Sequence, residues 1–388
     1  MDILDVCREW SFWQASPPAS VLRTGVLLPE TLDPALALIV QGVRRCGKST
    51  FLAQLLARYS IPPERALFVN FEDPRIPGIP NHETLDAIVN GFVARWTPHE
   101  PLFFFFDEVQ GVAGWEKWLH CKLERNKLHN FVLTGSNSTL LSGELSTVLA
   151  GRYRKLELFP FSFSEYLELF PMGTLESYLK CGGFPKVLQL SDSRELLQQY
   201  FQDIVERDIR ERVRAKSSLQ LRLFVRGLFD STGSETSVRR LSAVAGISAD
   251  TAAHYLEACE NAYLIFSCAF FAFSEAKSSG RNKKYYPVDT GLRKSVSTNT
   301  TPDIGKDFET YVMLVLRKKY GRVFYWKGKN EVDFVIHNAD GIRPIQVSWD
   351  GVKERHLAGL DEFYREFPMA LEAELIDKNT ALSSGILN

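Results

Sequence analysis

The 388-residue sequence predicts an α/β protein: a parallel sheet flanked by helices, then a helical region, then a helix-turn-helix unit and a small second α/β unit. Three observations predict it. Short apolar runs recur through the first 160 residues, each followed by a stretch with helical spacing. Strand signals are then scarce from Ser164 to about Phe229. Past a Ser/Thr-rich stretch at Ser295–Pro302, helix, strands and helix follow in turn.

In chain order, Leu36–Val40 reads as a buried strand ending in glycine, and Lys48–Tyr59 as the helix after it. Ala66–Phe71 is a second strand, Thr84–Trp96 a helix, and Leu102–Phe106 a strand apolar on both faces. A helix over Trp115–Arg125 and strands at Phe131–Thr134 and Tyr153–Leu158 complete this unit near Phe159–Pro160. Gly182–Gly183–Phe184–Pro185 marks a turn inside the helical region. Val238–Ala245, the turn Gly246–Ile247–Ser248 and Ala249–Glu260 have helix-turn-helix length, and Tyr263–Phe273 with Lys284–Pro287 reads as the two strands of a wing. Lys306–Lys319 is an amphipathic helix, followed by strands at Arg322–Trp326, Val332–His337 and Pro344–Trp349 and a helix at Glu354–Phe367. The expected organisation is an extension at 1–22, a core at 23–160, a helical region at 161–230, a winged-helix-like unit at 231–295 and a small α/β domain at 303–388.

Composition narrows the class. Hydrophobic residues make up 45% and charged residues 24%, as in a globular protein. A net charge of −1 provides no global field toward nucleic acid or membrane, so any nucleic-acid surface is a local patch. The six cysteines show no CxxC spacing and no histidine partners for zinc, and read as reduced thiols. The acidic, aromatic start does not resemble a signal peptide. The longest apolar stretch, Ala262–Phe273, is too short to span a bilayer. A cytoplasmic location is the expectation.

Chemistry concentrates after the first strand. Gly42-Val43-Arg44-Arg45-Cys46-Gly47-Lys48-Ser49 satisfies the P-loop pattern, between an apolar strand and a helix. Its backbone N–H groups and the helix N-terminus are suited to phosphate oxygens, so residues 42–50, Thr50 included, form the expected nucleotide-binding set. Lys48 is expected at the β- and γ-phosphates and Ser49 at Mg²⁺. Asp107 and Glu108 end the strand Phe103–Phe106; Asp107 is expected to help hold Mg²⁺, and Glu108 to orient and deprotonate the attacking water. This second carboxylate favours hydrolysis over transfer to a small acceptor. No N-K-x-D motif reads guanine, so ATP is the expected nucleotide. One strand separates the P-loop strand from the Asp107 strand in sequence, the arrangement of the additional-strand ATPases, AAA+ included. Ser136 or Asn137, after the strand Phe131–Thr134, is the candidate γ-phosphate sensor; a plain strand-to-helix cap is the competing reading. Arg152 is the candidate to neutralise transition-state charge, in its own chain or a neighbour.

These segments, taken with Leu-Thr-Gly-Ser, Ala-Gly-Arg-Tyr, Phe-Pro-Phe-Ser-Phe-Ser-Glu-Tyr, Gly-Gly-Phe-Pro, Tyr-Pro-Val-Asp-Thr-Gly-Leu-Arg and Asn-Glu-Val-Asp-Phe-Val-Ile in that order, resemble the prokaryotic AAA-type ATPases that carry a C-terminal domain of unknown function. The resemblance runs from about Arg23 onward. It implies an AAA core, a winged helix and a C-terminal domain similar to the restriction-endonuclease fold. For such a domain Glu309 and Asp333 match the first two metal-binding carboxylates, but the third element reads Gln346-Val347-Ser348. An amide replaces the second strand carboxylate and a serine the lysine, so Glu309, Asp333 and Gln346 are expected to be a vestigial metal site with little or no cleavage.

For DNA, Thr251, His254 and Glu257 are the candidate base-reading positions, although Ser248–Glu260 carries no arginine or lysine. Lys277, Arg281, Lys283 and Lys284 are candidate phosphate contacts around the wing. The charged run Arg207–Arg226 is interleaved with acids at helical spacing and reads as a solvated face. Trp10, Trp13 and the phenylalanines at 103–106 read as core. The leading expectation is an ATPase switching between ATP and ADP while acting on DNA or a protein partner, with self-assembly a further option and no membrane. An ATP-regulated nuclease and a non-hydrolysing nucleotide-gated module are its rivals.

Overall fold

The computed structural model describes residues 3–76, 78–95, 100–125, 127–138, 148–149, 151–190, 193–298 and 303–383. The chain divides into two compact units, Met1–Phe159 and Pro160–Asn388.

The first unit is built on a five-stranded sheet in the order β2-β3-β4-β1-β5, with every neighbouring pair parallel. Its strands are β1 (Ala37–Gln41), β2 (Ala66–Asn70), β3 (Phe103–Asp107), β4 (Asn130–Gly135) and β5 (Tyr153–Glu157). Helices α1 (Ile3–Trp10), α2 (Lys48–Arg58), α3 (His82–Val93) and α4 (Trp115–Arg125) accompany them. Strands covered on both faces need apolar side chains at every position. Phe104, Phe105 and Phe106 accordingly have no exposed surface. Phe104 stacks on Phe131 at 5.2 Å on one face, and Phe105 on Phe68 at 4.4 Å on the other. Val132 of β4 pairs with both Leu38 of β1 and Phe105 of β3. An additional strand thus stands between the P-loop strand and the acidic strand, and the parallel order brings their C-terminal ends to one edge of the sheet.

The N-terminal segment, read only as an extension, closes the open edge of this sheet. Ser11 Oγ accepts a hydrogen bond from the Phe68 N–H at 3.1 Å, and Trp13 Nε1 donates to the Ala66 carbonyl at 2.8 Å. Backbone groups of an edge strand are thereby given partners within the chain. Trp13 stacks on Phe92 at 5.6 Å, as a core residue does. Trp10 departs from the core expectation: it is 39% exposed and its indole N–H is spent on Asp73 Oδ2 at 2.8 Å. An amphipathic ring with a good polar partner at the surface has less reason to enter the core.

The second unit opens with helices α5 (Phe163–Leu169), α6 (Leu175–Cys181) and α7 (Ser193–Asp203), the last running into a π-helical segment at Ile204–Arg210. Then come α8 (Ser218–Asp230), α9 (Val238–Ala245) and α10 (Ala249–Asn261). Gly246, at φ 64°, supplies the left-handed turn between α9 and α10. Strands β6 (Ile265–Phe270) and β7 (Lys284–Pro287) pair antiparallel as the two strands read as a wing. They also continue a larger sheet, because β6 pairs in parallel with β8 (Phe324–Lys327) through Ala269 and Phe270. With β9 (Glu331–Asn338), β10 (Gly341–Val347) and β11 (Glu374–Ile376) the order is β11-β10-β9-β8-β6-β7. Helices α11 (Thr290–Val296), α12 (Ile304–Tyr320) and α13 (Glu354–Glu366) belong to the same unit. α11 lies at the end of the stretch read as a winged-helix-like unit, where the sequence reading placed no element; residues 299–302 of the Ser/Thr-rich stretch lie outside the described residues.

Two of the short motifs meet in this unit. Asp289 caps α11 by accepting from the Leu292 N–H at 2.7 Å, and its other oxygen accepts from the Gly183 N–H at 2.7 Å. A Cβ on Gly182 would lie 2.2 Å from Asp289 Oδ1, and one on Gly291 2.2 Å from the Cys181 carbonyl. Both glycines are therefore required by close approach of two chain segments. Among the described residues no helix is long and apolar enough to cross a membrane.

Candidate functional site

The loop after β1 is shaped by two glycines. A side chain on Gly42 would meet the Leu158 carbonyl oxygen at 2.1 Å, so only glycine lets the loop pass the end of β5. Gly47 starts α2 at φ 99°, and Arg45 also adopts a left-handed conformation at φ 71°. No side chain caps α2, which leaves its N-terminal N–H groups suited to an anion. Cys46 is buried, with Sγ 3.3 Å from the Leu158 carbonyl. Burial raises its thiol above the ordinary value although Lys48 and Arg23 pull the other way, so it is a packing residue rather than a nucleophile. Arg23 braces the loop from behind, donating to the Cys46 carbonyl at 3.0 Å and to the Phe159 carbonyl. Arg44 pairs with Glu72 at 2.9 Å, Val43 is buried, and Thr50 is exposed on the first turn of α2.

Lys48 points inward and is 4% exposed. Its ammonium donates to the Gly42 and Val43 carbonyls at 3.1 and 3.4 Å and lies 3.3 Å from Glu108 Oε1. Burial alone would lower its pKa, but Glu108 and then Cys46 and Asp107 outweigh that and raise it. The lysine is therefore held charged where phosphate oxygens are expected. Ser49 Oγ donates to Asp107 Oδ2 at 2.5 Å, and Thr134 donates to the other oxygen of the same carboxylate. Burial, then the Glu108 charge, raises the Asp107 pKa. Glu108 is lowered: burial opposes ionisation, but Lys48, Gln110 and Arg44 overcome it. It sits at φ 54°, ψ 46°, an uncommon conformation for a side chain of this kind, held by the Thr134 hydroxyl that accepts its N–H at 3.0 Å.

The structure thus brings together Lys48, Ser49, Asp107, Glu108 and Ser136. Two further residues of the site went unread in the sequence. Thr134 contacts both acids, and Gln110 Nε2 donates to Glu108 while lying 3.4 Å from Ser136 Oγ. The polar end of an otherwise apolar strand was the signal for Thr134; Gln110 had none beyond its proximity to Glu108. Asn137 is buried and its carbonyl accepts from Gln41 Nε2 at 3.1 Å. Arg152 is not brought to the site. It precedes β5, whose first residue pairs with Ala37, the first of β1, and so lies at the sheet edge opposite the loop, with its guanidinium 2.9 Å from Glu124. The expectation that it acts within its own chain is corrected by strand direction: a parallel strand carries its two ends to opposite edges.

The second unit gathers Glu309 of α12, Asp333 of β9 and Gln346 of β10, but the amide is committed to the backbone. Gln346 Nε2 donates to the Glu331 and His356 carbonyls at 2.8 and 3.2 Å. Among the described residues no group of three or more His, Cys, Asp or Glu side chains is arranged to hold a metal ion. On α10, His254 is exposed, with Nδ1 2.8 Å from the Asp250 carbonyl. Lys277 pairs with Glu366 at 3.1 Å, and Arg281 stacks over Phe270 at 4.6 Å. Lys284, grouped by sequence with the phosphate contacts, is 1% exposed and turned inward, which removes it from any phosphate surface. Arg210 and Arg222 both lie near Glu206, at 2.9 and 3.6 Å.

Residues 35–167 match the family model of an AAA domain. Residues 172–303 and 304–384 match two domains of unknown function, DUF8612 and DUF4143. An uncharacterized protein of Haemophilus influenzae is 29% identical over 337 residues, covering 82% of this chain and 84% of its own. The uncharacterized protein MJ1544 of Methanocaldococcus jannaschii is 29% identical over 369 residues, covering 87% and 81%. Among solved structures, the Aeropyrum pernix ORC1 protein in complex with DNA aligns with 71% of this chain and 97% of its own, at a TM-score of 0.31 and 13% identity. CDC6P from Pyrobaculum aerophilum aligns with 58% and 73%, at 0.27 and 14%. The match of residues 35–167 to the AAA-domain model contains the P-loop read at Gly42–Ser49 and the acid pair Asp107–Glu108.

Proposed function

We propose that this protein binds ATP with Mg²⁺, hydrolyses it, and uses the cycle as a switch acting on DNA or on a protein partner. One observation carries the reading: Lys48, Ser49, Asp107 and Glu108 converge, all linked by hydrogen bonds or ion pairs, beside the uncapped start of α2. These residues fit the nucleotide and its cation. Residues 42–50 would receive the phosphates, and Ser49 with Asp107 would hold the metal. Bound Mg²⁺ would supply charge neutralisation at the phosphates.

The chain's own groups do the rest. Lys48 exchanges its carbonyl partners and Glu108 for phosphate oxygens, which releases one Glu108 oxygen. Glu108, freed of Lys48 and still held by Gln110, then accepts a proton from the attacking water. Gln110 holds the second Glu108 oxygen and links it to Ser136, the proposed γ-phosphate sensor. Arg152 is left a role only from a neighbouring subunit. The exposed face of α10 carries Asp250 and Glu257 and no lysine or arginine, so its charge does not attract DNA; DNA and protein stand as two outcomes of one experiment.

That experiment is steady-state phosphate release from ATP, with and without duplex DNA, for the wild type and Glu108→Gln. Turnover that falls about 10²- to 10⁴-fold in the variant, with nucleotide binding intact, is expected. Stimulation by DNA would place the protein among DNA-stimulated ATPases, and variant-sensitive turnover indifferent to DNA would point to a protein partner. Wild-type turnover equal to that of the variant would remove hydrolysis from the proposal.

A further inference from the structure

The carboxylates expected to form a vestigial metal site already contain a cation of the chain's own. Lys284, the first residue of β7, sends its side chain inward, where its ammonium lies 2.5 Å from Glu331 Oε1 and 3.9 Å from Glu309 Oε1. It also lies 5.2 Å from the centre of the Tyr325 ring, which gives the cation an aromatic wall. Tyr286, on the same face of β7, donates its hydroxyl to Glu309 Oε1 at 2.7 Å. Lys306 closes the other oxygen of Glu309 at 3.0 Å, and Lys327 lies 3.7 Å from Glu331 Oε2. Asp333 accepts the Val347 N–H at 2.8 Å. Gln346 turns its amide nitrogen to two backbone carbonyls, and its oxygen lies 3.4 Å from the Asp333 N–H.

We propose that the Lys284 ammonium is the resident cation of this cluster, filling by charge the place that a restriction-endonuclease-like domain gives to a divalent metal, and that the cluster is metal-free by construction. Two arguments carry this. A divalent ion held by Glu309 and Asp333 would need the Glu309 oxygens that Tyr286, Lys284 and Lys306 already engage, and a buried ammonium beside it would repel it. Removing the ammonium instead would leave the three carboxylates of Glu309, Glu331 and Asp333 with only Lys306 and Lys327 at their rim, an excess of negative charge in a largely buried cluster. The lysine comes from β7 rather than from position 348, so a scan for the Glu-x-Lys pattern does not find it. Its charge is the opposite of a remnant: it converts a metal-binding constellation into an ion-paired joint between β7, α12 and β9.

The test uses the full chain, nucleotide-free, with Mn²⁺ as the probe, read by calorimetric titration and by thermal unfolding with and without EDTA. The wild type is expected to show no Mn²⁺ uptake that Asp333→Asn removes, and the same unfolding temperature in EDTA. Lys284→Met is expected to unfold at a clearly lower temperature and to take up Mn²⁺, and to lose that uptake when Asp333→Asn is added. Wild-type uptake abolished by Asp333→Asn, or no uptake by a folded Lys284→Met, would overturn the proposal. Should Lys284→Met not fold, Lys284→Met with Glu331→Gln restores the charge balance. Recovery of folding supports the ion-paired joint, and a double variant as unstable as the single one overturns it.

Discussion

Lys48 Nζ lies 3.3 Å from Glu108 Oε1, although the two residues are separated by two intervening strands in the sequence order of the chain. The P-loop lysine and the proposed base are thus each other's counter-ion, and each is stabilised in its charged form by the other. Nucleotide binding then has a direct effect on the base, because phosphate competes for the same ammonium.

Gln110 is the residue through which that pairing is positioned. It donates to the Glu108 oxygen that Lys48 does not take and approaches Ser136. Gln110→Ala is expected to lower kcat roughly tenfold while KM for ATP stays near wild type, since an orienting contact rather than a binding contact is removed. Steady-state phosphate release across ATP concentrations checks it; a change confined to KM would contradict the assignment.

Thr134→Val keeps the shape of a fully buried side chain but removes the hydroxyl that serves Asp107 and the Glu108 N–H. Leaving these groups without a partner is expected to cost about 1–3 kcal/mol of unfolding free energy. Thr134→Ser retains the hydroxyl and is expected to recover most of it. Urea unfolding monitored by circular dichroism distinguishes the two.

Gly182 sits at φ 75° with the Asp289 carboxylate 2.2 Å from where a Cβ would be. Gly182→Ala therefore combines backbone strain with a clash, and a loss of roughly 2–4 kcal/mol is expected in the same assay.

Asp289 makes a pH prediction. Burial raises its pKa to about 6, against the backbone N–H groups of Gly183, Leu292 and Gly291, which pull it down. A carboxyl raised in the folded state binds more protons there than in the unfolded chain between pH ~4 and ~6. Its contribution to stability is therefore greatest below that window and is lost as pH rises through it. Asp289→Ala is expected to destabilise more at pH 4.5 than at pH 7.5, by at most about 3 kcal/mol of difference. An equal cost at both values would show that the carboxyl titrates normally.

Ser11 gives the Phe68 N–H its partner on the edge strand of the first sheet. Ser11→Ala is expected to cost about 1–2 kcal/mol. Removing residues 3–13 exposes the edge of β2 and is expected to promote self-association, measured by light scattering against the intact chain.

The sequence by itself determined the P-loop, the acid pair and the alternation of strands and helices around them. Gly42 to Ser49 is one contiguous loop, so its geometry follows from two glycines and the helix they start. Phe103–Asp107 reads as a strand buried on both faces because four aromatics in a row leave no polar side. Other relationships were decided only by tertiary structure. Thr134 reaches Asp107 because β4 lies beside β3 in register, Arg152 misses the site because β5 runs parallel to β1, and Lys284 enters the carboxylate cluster from β7 rather than contacting phosphate. Each depends on strand order, direction and pairing register. A shift of one residue in register turns a side chain to the opposite face, so local residue pattern alone does not specify what it meets there.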